Sequence, residues 1–182
     1  MRVIRYVNEN RDTGLILRPG KLGRMVAYID ASYGTHPDGK SHSGSVIMMG
    51  SALQMAKSQK QKIVTKSSAE SEFVALSNSL LGEGLHLCEF WRGLGYDLAP
   101  LLVYQDNQAA MALAQKGKST SSRTKHIAIR YFWIKERVDS GEVSIEYLPT
   151  KQMLADLLTK PLQGELFIKL RDQILGQDVV NT

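Results

Sequence analysis

Four acidic residues far apart in the chain could do chemistry together: Asp30, Glu72, Asp106 and Asp156. Asp30 closes the apolar run MVAYID and is followed at once by the small and turn-forming residues ASYG. A carboxylate at the end of a buried strand is costly unless it is solvated, paired or holding a cation. Asp106 ends PLLVYQD in the same way. In SSAESEFVAL, Glu72 shares a helical face with Leu76 and Leu80, the side that packs on a sheet. Glu70 points about 200° away, so Glu72 is the acid aimed at the strand ends. Asp156 interrupts the apolar run of MLADLLTK. Each acid alone has an ordinary explanation: Asp30 as a turn former, Asp106 as a helix cap, Glu70 and Glu72 as partners of a helix dipole, Asp156 as a surface residue. Converging on one site, they would raise each other's pKa values unless cations neutralised them. An oxygen-only ligand set suits Mg²⁺ or Mn²⁺. Two such ions about 4 Å apart stabilise the attacking and leaving oxygens of phosphodiester hydrolysis.

The elements that must position these acids follow from hydrophobic period and turn residues. RVIRYVNEN reads as a short helix, and TGLILRPG as a strand between a glycine and a Pro-Gly turn. MVAYIDAS is a strand and YGTHPDGKSHSG a loop, while SGSVIMMGS and ALQMAKS are strands joined by a Gly50-Ser51 hairpin turn. The period then becomes helical from Ser68 to about Leu94, with Ser67 or Ser68 as N-cap. PLLVYQDN is a strand, NQAAMALAQKG a short helix, and TKHIAIRYFWIKERVDSG a long helix stopped by Gly141. VSIEYLPT is a strand, QMLADLLTKPL a helix broken by Pro161, and ELFIKLRDQILG a last helix. A strand meander followed by strand–helix alternation predicts an α/β fold with a mixed sheet and helices on its faces.

Composition is consistent with one compact domain. The chain has 182 residues, 43% hydrophobic and 23% charged, enough for a real core. No run approaches the roughly 18 apolar residues of a membrane span, and MRVIRYVNEN does not read as a signal peptide. The single cysteine, Cys88, excludes an internal disulfide and reads as core packing. His36, His42 and His86 show no metal-ligand spacing and read as loop or surface residues. The net charge of +5 is unevenly spread. KSQKQKIVTK (Lys57 to Lys66) and QKGKSTSSRTKH (Gln115 to His126) are basic and almost free of acids. They read either as lysine-guarded loops and edges or as phosphate-contacting patches.

The order of these motifs resembles a known family. Asp30 after an apolar strand, S-x-x-E-x-E-F-x-A-L, a strand ending in DNQAA, RTKHIAIRY, and YLPT followed by LADLLTKPL resemble the ribonuclease H domain of Ty1/copia-type retrotransposon Pol polyproteins. The likeness runs from about Arg2 to Gly176. It implies an RNase H-like fold, a mixed five-stranded sheet with helices on both faces. It divides the chain into the end of a reverse transcriptase region and linker (1–24), an RNase H-like domain (25–176) and a tail (177–182). It implies that Asp30, Glu72, Asp106 and Asp156 are the catalytic acids and hold two Mg²⁺ or Mn²⁺ ions. The reaction it implies is cutting of the RNA strand of an RNA–DNA hybrid, leaving a 3′-hydroxyl and a 5′-phosphate. Ser67, Ser68, Asn107 and Gln108 are placed to meet 2′-hydroxyls. Lys60, Lys62, Arg123, Lys125 and His126 are candidates for phosphate contact. The implied partners are the hybrid and the reverse transcriptase of the same polyprotein, with no membrane. The implied location is cytoplasmic, within virus-like particles.

The sequence departs from that family in two places and from many cellular enzymes in a third. Its first motif reads Asp30-Ala31-Ser32-Tyr33 where a second aspartate is usual, and Ala56 stands where a tryptophan is common. YLPTKQML lacks the histidine that many cellular enzymes carry before the last aspartate. Rival readings are a non-cleaving RNase H fold that binds nucleic acid or protein, a DDE-type integrase or transposase core, and a structural interaction domain. All four acids are present, against the first, and Glu72 on the first long helix argues against the second.

Overall fold

A computed structural model describes residues 1–18, 23–116 and 125–177. Helix α1 (Arg2–Glu9) precedes a meander of three strands, β1 (Met25–Ser32), β2 (His42–Met49) and β3 (Ala52–Lys60). Helix α2 (Ser68–Ser79) and helix α3 (Leu85–Gly93) follow, then β4 (Leu101–Gln105), α4 (Gln108–Lys116), α5 (Lys125–Asp139) and β5 (Val143–Tyr147). The chain closes with a short α6 (Asp156–Thr159) and α7 (Gly164–Ile174). The five strands form one sheet in the order β3-β2-β1-β4-β5, as expected of the α/β reading. The meander is antiparallel, whereas β1–β4 and β4–β5 are parallel.

Strand alternation explains the two layers. Met25, Ala27, Ile29 and Ala31 of β1 point to one face, where Phe73, Leu76 and Leu80 cover them. The opposite face carries Tyr28, Val46 and Met48 against Leu154, Leu170 and Ile174 from the C-terminal segment. Helix α2 is buried almost all round, and Phe73 stacks on Tyr131 of α5 with ring centroids 3.8 Å apart. Cys88 is buried with its thiol 3.7 Å from the Met25 sulfur, so it packs the core. The Gly50-Ser51 turn forms as expected, with Gly50 at φ +58°, a backbone region open to glycine.

Three local expectations fail. The continuous helix to Leu94 is interrupted by a π-helical turn over Leu80–Gly84. The wider turn rotates everything after it, which leaves Leu94 exposed instead of on the packed face. Glu83 in that turn is buried and pairs with Lys57. The described part of TGLILRPG, residues 13–18, forms no strand. It is tied instead to the far end of the chain, with Ile16 N–H donating to Leu175 O at 2.8 Å and Arg18 to Gly176 O at 2.7 Å. The helix expected through LADLLTK shrinks to the four residues of α6, because Lys160 before Pro161 is driven to extended backbone.

Gly44 in β2 lies opposite Asp30. A Cβ there would meet Ala155 O and Thr159 Cγ2 at 2.8 Å and Leu158 Cβ at 3.0 Å. Glycine thus lets α6 close onto the sheet beside the first acid. Gly44→Ala is expected to lower stability by about 1–3 kcal/mol through overpacking; thermal unfolding followed by circular dichroism checks this.

Candidate metal centre

Sheet register sets the geometry of the acids. Strands β1 and β4 run parallel with Tyr28 opposite Tyr104. Two residues further along each strand direction come Asp30 and Asp106, which therefore sit level at the same sheet edge. Glu72 comes from the first turns of α2, held over that edge by the burial of Phe73 and Leu76. Oxygens of Asp30, Glu72 and Asp106 lie within 4.8 Å of one another. Asp156, the first residue of α6, stands beside Asp30 but outside this tight group of three. It is joined to Asp30 through Lys160, whose ammonium lies 2.6 Å from Asp156 Oδ1 and 3.5 Å from Asp30 Oδ1.

Supporting groups fix each carboxylate. Thr159 Oγ1 donates to Asp30 Oδ2, and Thr150 Oγ1 donates to Asp106 Oδ2 at 2.7 Å. Gln105 is fully buried; its Oε1 accepts from the Asp106 and Asn107 N–H groups at 2.9 and 3.2 Å. Its Nε2 reaches Glu72 Oε2 at 3.5 Å. Gln105, Thr150, Thr159 and Lys160 escape a reading based on acids alone. For Lys160 a signal existed, since it follows Asp156 at the i,i+4 spacing of helical ion pairs.

Electrostatics show the cost of bringing these groups together. Burial, with Asp30 and Asp106 adding to it, pushes the Glu72 carboxyl up to about 9, although it accepts the Ala31 N–H. Burial likewise raises Asp156, with Asp30 and Asp106 adding and Lys160 opposing. Lys160 is raised despite its own burial, because Asp156, Asp30 and Asp106 surround it. Such a site favours an added positive charge. The donors are carboxylate oxygens only, which fits a hard divalent cation.

The other acid of the helix start has a local role. Ser67 Oγ accepts the Glu70 N–H at 3.2 Å, and Glu70 returns by accepting the Lys66 N–H at 2.5 Å. This reciprocal cap explains why Glu70 turns away from the metal centre. Asn107 caps α4 by accepting the Ala110 N–H at 3.0 Å. Lys60 pairs with Asp38 at 2.8 Å, and Lys62 is exposed on the following loop. Arg123 lies outside the described residues, as do the side chains of Lys125 and His126 at the start of α5. His36 lies in the loop between β1 and β2, as expected, whereas His42 opens β2, with His36 Nε2 3.0 Å from its Nδ1.

No family model matches the chain. It is 35% identical over 168 residues to the Retrovirus-related Pol polyprotein from transposon RE2 of Arabidopsis thaliana, covering 91% of this chain and 11% of that protein. With the corresponding RE1 polyprotein of the same plant it shares 34% over 175 residues, 95% of this chain and 12% of that protein. The chain thus spans little more than a tenth of the length of the curated relatives it matches. Among solved structures, LC11-RNase H1, isolated from compost by a metagenomic approach, superposes with a TM-score of 0.52 at 18% identity. That match covers 75% of this chain and 92% of the other, and the fold is RNase H-like.

Proposed function

We propose that this chain, whose homologues are retrotransposon Pol polyproteins of the Ty1/copia type and whose fold is RNase H-like, hydrolyses the RNA strand of RNA–DNA hybrids during reverse transcription. The observation that carries this reading is the convergence of Asp30, Glu72 and Asp106 within 4.8 Å at one edge of the sheet, with Asp156 beside them. Mg²⁺ or Mn²⁺ held by these four acids, as two ions, would supply activation of the attacking water and stabilisation of the leaving oxygen. Water oxygen bonds to phosphorus, the phosphorus–O3′ bond breaks, and the products are a 3′-hydroxyl and a 5′-phosphate.

The chain's own groups do the positioning. Thr159 and Lys160 hold the two oxygens of Asp30, and Thr150 and Gln105 hold Asp106 and its backbone. Fixed carboxylates avoid reorganisation as charge develops. Ser67 and Asn107 use acceptor oxygens for capping, which leaves the Ser67 O–H and the Asn107 amide N–H groups to donate to 2′-oxygens. Exposed Ser68 and Gln108 flank them. Lys57, Lys62 and Arg130 line a groove of about 250 Å³ beside the sheet edge strand. Together with Lys60, Arg123, Lys125 and His126 they supply positive charge for the hybrid's phosphates. The polymerase region of the same polyprotein is the expected partner, with residues 1–24 as its link to the domain at 25–176, and virus-like particles in the cytoplasm are the expected setting. No helix among the described residues is long and apolar enough to cross a membrane.

A labelled RNA–DNA hybrid incubated with the protein and Mg²⁺ or Mn²⁺ tests the reading. Cutting confined to the RNA strand and abolished by chelation supports it. Intact RNA despite measured hybrid binding, at every metal concentration, overturns it.

A further inference from the structure

The acids of the site are unequally served by positive charge. Asp30, Glu72 and Asp106 face one another with oxygens within 4.8 Å, whereas the Lys160 ammonium stands on the Asp156 side of Asp30, nearer to Asp156 than to Asp30. The contact geometry is specific. Lys160 Nζ is 2.6 Å from Asp156 Oδ1 and 3.5 Å from Asp30 Oδ1, and Thr159 takes the other Asp30 oxygen. Both oxygens of Asp30 are thus engaged by consecutive residues at the end of α6.

Lys160 is also built to be displaced. Its backbone is extended ahead of Pro161, at φ −128° and ψ 143°, so the stem starts from a fixed direction. Its side chain is 35% exposed, while those of Asp30 and Asp156 are 1% and 4% exposed. A flexible four-carbon stem carrying a compact, well-hydrated charge can swing to solvent once an incoming cation takes over its carboxylates, unlike a planar guanidinium fork. A divalent ion between Asp30 and Asp156 would need the same oxygens and would meet the ammonium's charge at close range.

We propose that Lys160 is a built-in cation that occupies the second metal position, so that the group of three acids binds one divalent ion directly and a second ion binds only by displacing Lys160. This rests on the nuclease reading above for the identity of the metal centre, but it concerns ion occupancy and is measured without substrate. Lys160 acts here as a positioning residue: in the absence of a second ion it bridges Asp156 to Asp30.

Mn²⁺ titration by calorimetry, with bound ions counted by electron paramagnetic resonance, compares the parent with Lys160→Met and Lys160→Gln. Removing the ammonium is expected to tighten the second Mn²⁺ site by about tenfold or more, with the first site changed by less than about threefold. Equal or weaker second-site binding in a folded variant overturns the proposal. Should neither variant fold, the parent alone decides. The Lys160 ε-methylene resonance, followed by NMR during Mg²⁺ titration, should shift in a second, weaker step after the first ion has bound. A resonance that never moves in such a step overturns the proposal. Failure of the nuclease reading has a different signature: hybrid left uncut while the Mn²⁺ counts behave as stated, which still supports the role of Lys160.

Discussion

Asp30→Asn should reduce metal-dependent cleavage of the RNA strand by at least about a thousandfold, equivalent to about 4 kcal/mol of barrier. The reason lies in what Asp30 touches. It is buried at the end of β1, belongs to the close group with Glu72 and Asp106, and is held by Thr159 and Lys160. An amide keeps the size and can still accept from Thr159, so the fold should persist. It removes one negative charge from the cation site, and its NH₂ group, a donor, can neither ligate a metal nor accept from the Lys160 ammonium. Single-turnover cleavage of labelled hybrid measures the rate, and hybrid binding by fluorescence anisotropy should change little. A variant that cuts within tenfold of the parent rate would remove Asp30 from the metal centre.

Glu72→Gln should raise the stability of the metal-free chain above neutral pH. The carboxyl keeps its proton up to about 9 in the folded chain against an ordinary value of 4.5, chiefly because it is buried and then because Asp30 and Asp106 face it. Between those values the folded state binds more protons at this position than the unfolded state. Stability from Glu72 is therefore fully present below 4.5 and is lost as pH rises toward 9. Glutamine has no charge to bury. Without divalent ions, Glu72→Gln should thus exceed the parent by up to about 5 kcal/mol at pH 8, and the gap should close near pH 4. Mg²⁺ should reverse the order by binding the folded parent more tightly than the folded variant. Denaturant unfolding at several pH values, with and without Mg²⁺, measures both effects. A gap that does not grow with pH would show that Glu72 is ionised and solvated in the folded chain.

Much of the site was legible one residue at a time. A carboxylate after an apolar strand marked Asp30 and Asp106, and helical phase separated Glu72 from Glu70. That phase argument held because α2 packs on the sheet through Phe73 and Leu76, while Glu70 is drawn into the cap with Ser67 and Lys66. It failed beyond Ser79, where Gly82 and Gly84 accommodate a π-helical turn and shift the face. TGLILRPG looked like a strand because its apolar run sits between turn residues. With no sheet edge assigned to it, the described part instead bonds to the end of α7. Gly44 was readable as a glycine inside a strand, but its purpose depends on α6 arriving from the far end of the chain.

The sequence alone determined the inventory: which residues carry charge, which segments alternate or follow a helical period, where caps and turns fall, and which family the motif order resembles. These are short-range properties, set by each residue and its near neighbours. The tertiary structure decided the geometry. Parallel pairing of β1 with β4, strands some seventy residues apart, levels Asp30 with Asp106. Closure of α6 over Gly44 brings Asp156 to Asp30 and places Lys160 between them. Register and docking are chosen by burial summed over the whole core, and no local stretch of sequence contains that sum.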